Sequence, residues 1–227
     1  MAEGIGGYIG RLLRIGACAQ RSSVIFCVGR FLQKIPSRFF SHRHNSARMN
    51  NVTNPSLRDL EQAIRNVPDF PKPGIQFKDI TPVLANGRLF NKCIDQLCGN
   101  FKPGEVDAIV GIDARGFIFA AAAALKLQCG FVPVRKQGKL PFKTYEQSYD
   151  LEYGSNTIAI HTDSIRHGSR VLLIDDLLAT GGTAAASAEL LKKVGANILE
   201  ITFFIELSFL NGRDKLKNFP VRSLVVY

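Results

Sequence analysis

The sequence predicts an α/β protein whose mostly parallel central sheet is flanked by helices. Apolar strand patterns alternate with helical patterns from residue 106 onward. Most of these strands are apolar throughout, as is typical of strands buried on both faces. Polar residues follow two of the strands, and open parallel sheets bind ligands at the carboxyl ends of their strands. We therefore expect the binding site at that edge.

The first helices lie before the sheet. Asn54-Pro55 has the pattern of an N-cap followed by proline at the first helical position, and apolar residues continue at helical spacing to Ile64. A proline-rich loop at 68–74 then interrupts the chain, and a second amphipathic helix is predicted at 89–97.

The remaining elements alternate. Strands are predicted at 106–112, 131–134, 157–161, 171–174, 198–205 and 224–226, and helices at 116–127 and 183–194. Gly195 has the position of a C′ residue behind the last helix. The stretch 145–155 is polar and shows no clear helical or strand period.

Composition is that of a globular chain of 227 residues, with 46% hydrophobic and 21% charged residues. No stretch reaches the roughly 20 apolar residues of a membrane span. The five cysteines are odd in number and lack CxxC spacing, which argues against a disulfide framework or zinc ribbon and fits a reducing compartment. His161 and His167 are interpreted as structural or surface residues, not metal ligands.

Positive charge is concentrated at the N-terminus. Residues 1–50 hold eight Lys or Arg and one acid, so they carry +7 of the net +10. The rest is nearly neutral, and we predict neither a nucleic-acid nor a membrane partner. The basic, Ser-rich segment resembles an organellar transit peptide, but a dispensable leader fits equally well because Met49 could be a second start. We expect residues 51–227 to form the folded domain. We expect the protein to work in the cytoplasm, or in a mitochondrion or other organelle if residues 1–50 target it there.

The strongest motif is VLLIDDLLATGGT at 171–183. It combines a buried strand, two carboxylates, a turn of small residues and a helix N-terminus, whose N–H groups suit a phosphate monoester. The adjacent acids suit a sugar diol or a hydrated Mg²⁺ ion. A Walker loop is excluded because no Gly-Lys-Ser/Thr follows.

This motif resembles the phosphoribosyl pyrophosphate (PRPP) signature of the type I phosphoribosyltransferases. Further blocks resemble the branch of that family that acts on adenine: PDFPKPG (68–74), FKDITP (77–82), GIDARGF (111–117), RKQGKLP (135–141) and SYDLEYG (148–154). The resemblance runs from about residue 56 to the last residue. It implies a small N-terminal hood, a homodimer, and Mg²⁺-dependent transfer of 5-phosphoribosyl from PRPP to adenine, giving AMP and pyrophosphate.

The resemblance also implies a role for each matching residue. Glu152, on a mobile loop, is the acid/base group. The residues implied to bind PRPP or AMP are Arg115, Arg135, Lys136, Lys139, Tyr153, Asp175, Asp176, Ala179, Thr180, Gly181, Gly182 and Thr183. Those implied to bind adenine are Phe77, Lys78 and Leu207. Mg²⁺ would arrive with PRPP and be held through water by Asp175 or Asp176.

The residues alone leave alternatives open. Arg115 could form an ion pair with Asp113 at the strand end, Phe77 could be a core residue, and Glu152 could be a solvated charge. The cations at 135–139 could be an ordinary surface loop. For the whole chain, the alternatives are a transferase for another base, such as hypoxanthine, guanine or orotate, a PRPP-binding regulator without turnover, and a catalytically silent paralogue.

Overall fold

The computed structural model describes residues 54–150 and 155–227. Residues 1–50, interpreted as either a transit peptide or a dispensable leader, lie outside the described residues, and the fold below belongs to the unit Asn50–Tyr227. In chain order, its elements are α1 (Leu57–Ala63), β1 (Arg65–Val67), β2 (Phe77–Asp79), α2 (Thr81–Ala85), α3 (Gly87–Cys98), β3 (Ala108–Ile112), α4 (Gly116–Leu127), β4 (Gly130–Lys136), β5 (Thr144–Asp150), β6 (Ser155–His161), β7 (Arg170–Leu178), α5 (Gly182–Lys193), β8 (Asn197–Glu206) and β9 (Val221–Val226). Two short 3₁₀ turns, Ser208–Leu210 and Gly212–Leu216, separate β8 from β9.

The central sheet has the strand order β5-β6-β4-β3-β7-β8-β9. The five strands from β4 to β9 in this order are parallel to their neighbours, while β6 pairs antiparallel with both β4 and β5. A separate antiparallel pair, β1–β2, forms the small N-terminal hood. The predicted mostly parallel α/β fold is confirmed.

Both faces of the sheet are covered, as the apolar strands predict. Alternate residues of β7 enter two different cores: Leu172 and Ile174 pack with the α1, α3 and α4 side, and Val171 and Leu173 with the α5 side. All four are fully buried, and each buried leucine contributes about 1.5–3 kcal/mol of transfer free energy. Because β7 is held from both faces, its carboxyl end is a rigid base for a site.

The start of α1 differs from the prediction. The N-cap is Ser56 and not Asn54, because Ser56 and Asp59 form a reciprocal capping box. That box satisfies two backbone donors, which the asparagine two residues earlier cannot do.

One strand was not predicted, and another extends into the predicted site. The polar stretch after residue 144 forms β5, whose order comes from backbone pairing with β6 and leaves no burial pattern in the sequence. The strand predicted at 171–174 continues to Leu178, so Asp175 and Asp176 lie within it and not behind it. Pairing of Asp175 with Phe203 and of Leu177 with Ile205 on β8 extends it. In the described part of the chain, no helix has the length and hydropathy to cross a bilayer.

Candidate active site

A cavity of about 250 Å³ lies at the carboxyl ends of β3 and β7, which are adjacent central strands. Two segments line it, residues 112–115 and residues 175–184. These segments are far apart in sequence and meet because parallel neighbours end at the same edge of a sheet. The cavity therefore occupies the edge at which the sequence predicts binding.

Two helices begin at this cavity, α4 behind β3 and α5 behind β7. Elsewhere the side chains of Ser56 and Asn86 cap α1 and α3, whereas no side chain among the described residues caps α4 or α5. Their first N–H groups have no intrahelical acceptor, and each helix dipole places positive charge there. Two such ends in one cavity suit a ligand with two anionic groups.

The turn at 179–183, which we name the phosphate turn for its predicted role, leads from β7 into α5. Gly181 has a left-handed φ of 75°, a conformation that favours glycine. The Thr183 hydroxyl donates a hydrogen bond to the Tyr149 hydroxyl at 2.9 Å. Thr183 therefore offers its backbone N–H to an anion in this arrangement, while its side chain ties β5 to the turn.

The two acids of β7 lie on the floor of the cavity. Asp176 is buried, and its Oδ2 lies 2.8 Å from Nη2 of Arg115. Asp175 is half-buried, and its Oδ1 accepts the Asp176 backbone N–H at 2.9 Å. Burial and the neighbouring carboxylate raise the pKa of Asp175; burial also raises the pKa of Asp176, opposed by Arg115. An ideal Cβ at Gly116 would lie 2.5 Å from Asp175 Oδ1, so this approach requires glycine at the start of α4.

The alternative in which Arg115 pairs with Asp113 is wrong. Arg115 pairs with Asp176, and Asp113 instead accepts a hydrogen bond from Nε of Arg135 at 2.9 Å. Arg135 also donates from Nη1 to the Lys139 carbonyl at 3.1 Å. Its guanidinium thus ties the β4 end to the cavity wall.

The segment 136–139, which we name the cation loop, follows Arg135. Gly138 turns it with a φ of 77°. The side chains of Lys136 and Lys139 are exposed and form no ion pair with another described residue. The loop therefore presents two uncompensated cations, held in place through the Arg135–Asp113 pair beside the cavity.

Phe77 is not a core residue. It is half-buried on β2, 5.1 Å from the Phe70 ring between centroids, and the Arg115 guanidinium carbon lies 5.6 Å from its ring centroid. The hood therefore holds one aromatic ring beside the cavity. That position suits the predicted stacking on a base.

Lys78 and Leu207 contact other parts of the molecule. Lys78 Nζ donates to the Asn66 side chain at 2.7 Å and lies 3.4 Å from the Tyr227 ring centroid, and partial burial lowers its pKa. Leu207 follows β8, where its N–H donates to the Leu178 carbonyl at 2.9 Å. Neither lines the cavity, so Lys78 is left with its backbone for any contact to a base.

Glu152 and Tyr153 lie outside the described residues, so their roles stay predictions. Sequence reasoning missed two residues that the structure brings to the site: Asp113 as the partner of Arg135, and Tyr149 as the partner of Thr183. Both fall inside quoted motif blocks, but no local spacing indicates their partners.

The residues fit a Mg²⁺ ion carried by a phosphorylated ligand, not a metal cage of the protein. Among the described residues, no cluster of three or more His, Cys, Asp or Glu could hold a metal. Asp175 and Asp176 offer two adjacent carboxylates at the cavity, and Mg²⁺ is often bound by one or two carboxylates together with water and phosphate oxygens.

Comparison with known proteins agrees with this geometry. Residues 77–219 match the phosphoribosyl transferase domain family. The match spans the hood strand β2, the cavity and the N-terminal ends of α4 and α5. The fold and the cleft thus define the class of protein: a phosphoribosyltransferase.

Individual relatives narrow the class. The adenine phosphoribosyltransferase of Chloroflexus aurantiacus is 53% identical over 170 residues, covering 75% of this chain and 98% of the relative. The crystal structure of the Rhodothermus marinus enzyme of that name is 49% identical with a TM-score of 0.71, covering 75% of this chain and 98% of its own. The Saccharomyces cerevisiae enzyme, complexed with adenine and an imino-altritol bisphosphate, is 45% identical with a TM-score of 0.70, covering 74% and 97%. The chain belongs to the adenine phosphoribosyltransferase family.

Proposed function

We propose that this chain transfers the 5-phosphoribosyl group of PRPP to adenine, releasing AMP and pyrophosphate, a step of purine salvage. The observation that carries the proposal is the cavity in which the phosphate turn, the Asp175-Asp176 pair and Arg115 meet. It supplies donors for two separate anions and carboxylates between them. Family membership supports the choice of base.

The phosphate turn would anchor the 5-phosphate through backbone N–H groups at the start of α5. Asp175 and Asp176 would accept hydrogen bonds from the ribose 2- and 3-hydroxyls. Binding energy gained at these remote groups fixes the geometry at the anomeric carbon, which is where it lowers the barrier.

The bond between the anomeric carbon and the pyrophosphate oxygen breaks as a ring nitrogen of adenine forms its bond from the opposite face. Positive charge then develops on the ribose and negative charge on pyrophosphate. The carboxylates of Asp175 and Asp176 face the positive charge on the ribose. The negative charge on pyrophosphate is stabilised by the side chains of Arg115, Lys136 and Lys139. Asp175 or Asp176 would hold a Mg²⁺ ion through water, and the bound ion would neutralise further negative charge on the phosphates.

Phe77 would stack on adenine, because its ring borders the cavity at Arg115. Backbone groups of the hood would read the edge of the base, and Leu207 would cover its other face. A backbone carbonyl directed at the 6-position accepts a hydrogen bond from the amino group of adenine and repels the 6-oxo group of hypoxanthine. With hypoxanthine the backbone carbonyl would be left without a hydrogen-bond donor, and this penalty makes the discrimination against hypoxanthine strong.

Glu152 would accept the proton that the purine nitrogen loses, and Tyr153 would contact PRPP. For Glu152→Gln we expect kcat to fall more than either KM changes, because the acid/base role is exerted in the transition state. Steady-state kinetics with both substrates measures this. A raised KM with unchanged kcat would remove Glu152 from the acid/base role.

A second copy of the chain would cover the exposed face of α4. This helix is apolar on nearly all sides, yet its residues Leu125, 82% exposed, and Ile118 are exposed, as is Phe131 on the following strand β4. Sedimentation should give a dimer for the wild type and a monomer for Leu125→Glu, with Leu57→Glu, another exposed leucine, remaining dimeric. A monomeric wild type contradicts the proposal.

The chain would work in the cytoplasm, or in an organelle if residues 1–50 direct it there. Mass spectrometry of the mature N-terminus from fractionated cells separates the two locations. A cytoplasmic, uncleaved chain would exclude the transit peptide.

The substrate assignment is tested by incubating the purified chain and Mg²⁺ with PRPP and adenine, hypoxanthine, guanine or orotate in turn. Chromatography should detect a nucleotide product with adenine only. A preferred product from another base would make the chain a transferase for that base. Binding of PRPP without any product would make it a regulator.

A further inference from the structure

The backbone of Gly212 lies against the phosphate turn, although Gly212 does not itself line the cavity. A Cβ at Gly212 would overlap the Ala179 carbonyl oxygen and lie 2.9 Å from the Gly181 nitrogen. A Cβ at Gly181 would in turn overlap the Gly212 carbonyl oxygen. These neighbours are backbone atoms that cannot rotate away, so a side chain at either position forces the turn to move.

The segment that carries Gly212 is anchored by Arg213 and Glu206. Arg213 donates from Nε and Nη2 to the two carboxylate oxygens of Glu206 at 3.0 and 2.5 Å, and from Nη1 to the Val221 carbonyl at 2.9 Å. The Ser223 hydroxyl donates to the same carboxylate at 2.6 Å. Bidentate charged pairs of this kind fix orientation as well as adding energy.

The anchor also reaches the strand that leads into the turn. Glu206 is buried at the end of β8, in register with Leu178, the last residue of β7 before the phosphate turn. The Arg213 hydrogen bonds lower the pKa of Glu206, so the pair stays charged at neutral pH. One network therefore holds both the chain entering the turn and the chain packed behind it.

We propose that Gly212, Arg213 and Glu206 are positioning residues for the 5-phosphate subsite, an inference that rests on the proposed function. The segment 211–213 packs against the phosphate turn and in this way sets the spacing of the amide groups of the turn. None of the three lines the cavity, and they act through Ala179 and Gly181. Preorganised donors need no rearrangement when the anion binds, and displacing such a group by about 1 Å can lower the reaction rate by about 10²-fold.

The test compares ligands for the two ends of the cavity. For Gly212→Ala, calorimetric titration should show ribose 5-phosphate affinity reduced at least about tenfold, with KM for PRPP raised. Pyrophosphate affinity and KM for adenine should stay within about a factor of two, because Arg115 and the cation loop are not touched. Gly87→Ala is the matched control, since a Cβ at Gly87 meets no atom within 4 Å.

Glu206→Gln provides a second variant that adds no bulk and removes the charge opposite Arg213. We expect the same selectivity, with a loss of roughly three- to tenfold for ribose 5-phosphate. If Gly212→Ala does not fold, this variant decides. If the variants bind ribose 5-phosphate as the wild type does, or lose pyrophosphate affinity equally, this inference is overturned and the proposed function still stands. A wild-type chain that binds no ribose 5-phosphate overturns the proposed function and this inference with it.

Discussion

The phosphate turn and the cation loop offer different chemical groups to a ligand: backbone N–H groups in the first and charged side chains in the second. The phosphate turn uses backbone groups, glycines and a helix end, all within residues 179–183 and backed by Gly212. The cation loop uses long exposed side chains and depends on Arg135, whose partner Asp113 directly follows the neighbouring strand β3. Packed backbone atoms fix the phosphate turn, whereas the Arg135 side chain and one backbone hydrogen bond from Gln137 to Thr157 hold the cation loop beside the cavity.

This difference suits the two groups that the ends are proposed to bind. The 5-phosphate stays bound throughout the reaction, so fixed backbone donors serve it well. Pyrophosphate must leave, and solvated lysines can neutralise its charge without enclosing it. Asp176 and Arg115 lie where the two ends meet.

The largest effect is expected from Asp176→Asn, because it weakens both ends at once. The change removes the charge that pairs with Arg115 and a proposed acceptor for the ribose, and kcat/KM should fall by about 10²- to 10³-fold. Steady-state kinetics measures the loss, and circular dichroism checks that the fold is intact. Near-normal turnover would contradict the proposed role of Asp176 and its pair with Arg115.

Gly181→Ala should damage the backbone end alone. The alanine must adopt a φ near 75° and overlaps the Gly212 carbonyl, so KM for PRPP should rise by about 10- to 10²-fold. Gly168→Ala is the control, because Gly168 also has a positive φ of 82° but has open space around it and lies outside the cavity lining. An equal rise of KM for PRPP in both variants would show that general destabilisation of the fold, not displacement of the phosphate turn, causes the loss.

Lys139→Ala should damage the cationic end alone. Turnover should fall severely, by about 10- to 10²-fold, since a charge that stabilises the leaving group is lost. Pyrophosphate affinity should fall and depend less on salt, whereas ribose 5-phosphate affinity should be retained. Calorimetry at two ionic strengths measures both. An unchanged salt dependence would place Lys139 away from the pyrophosphate.

The smallest effect is expected from Asp107→Asn. This variant tests whether an Arg–Asp pair affects activity only when it lies at the cavity, as Arg115 and Asp176 do. Arg170 and Asp107 also lie 2.8 Å apart, but at the opposite edge of β3 and β7. Activity should be unchanged and Tm at pH 7 lower by about 1–2 °C, because the pair is exposed. Loss of activity would show that the pair acts on the site across the sheet.

The same pair gives a pH dependence with a definite sign. Hydrogen bonds from Arg170 lower the pKa of Asp107 to about 2. An acid with a lowered folded-state pKa stabilises the fold above its unfolded value of about 4 and loses that contribution as the pH falls toward 2. The Tm difference between wild type and Asp107→Asn should therefore shrink over this interval, and a constant difference would contradict it.

Prediction from sequence succeeded where burial or backbone conformation leaves a local pattern. The bounds of α4 were predicted to the residue, and Gly195 has the predicted C′ position, with a φ of 79°. The phosphate turn lies at the predicted sheet edge. The strand β5 was missed because pairing with β6 and not burial gives it order, and the α1 cap was misplaced because two caps compete within three residues.

The sequence by itself determined the alternation of strands and helices, the edge of the sheet at which the cavity lies, and the motif that forms the phosphate turn, because each depends on neighbouring residues. Only the tertiary structure decided that Arg115 pairs with Asp176, that Asp113 holds Arg135, and that Gly212 backs Gly181. These pairings join segments separated by twenty to sixty positions or more. They follow from strand order and register, which set distances that no local spacing in the chain encodes.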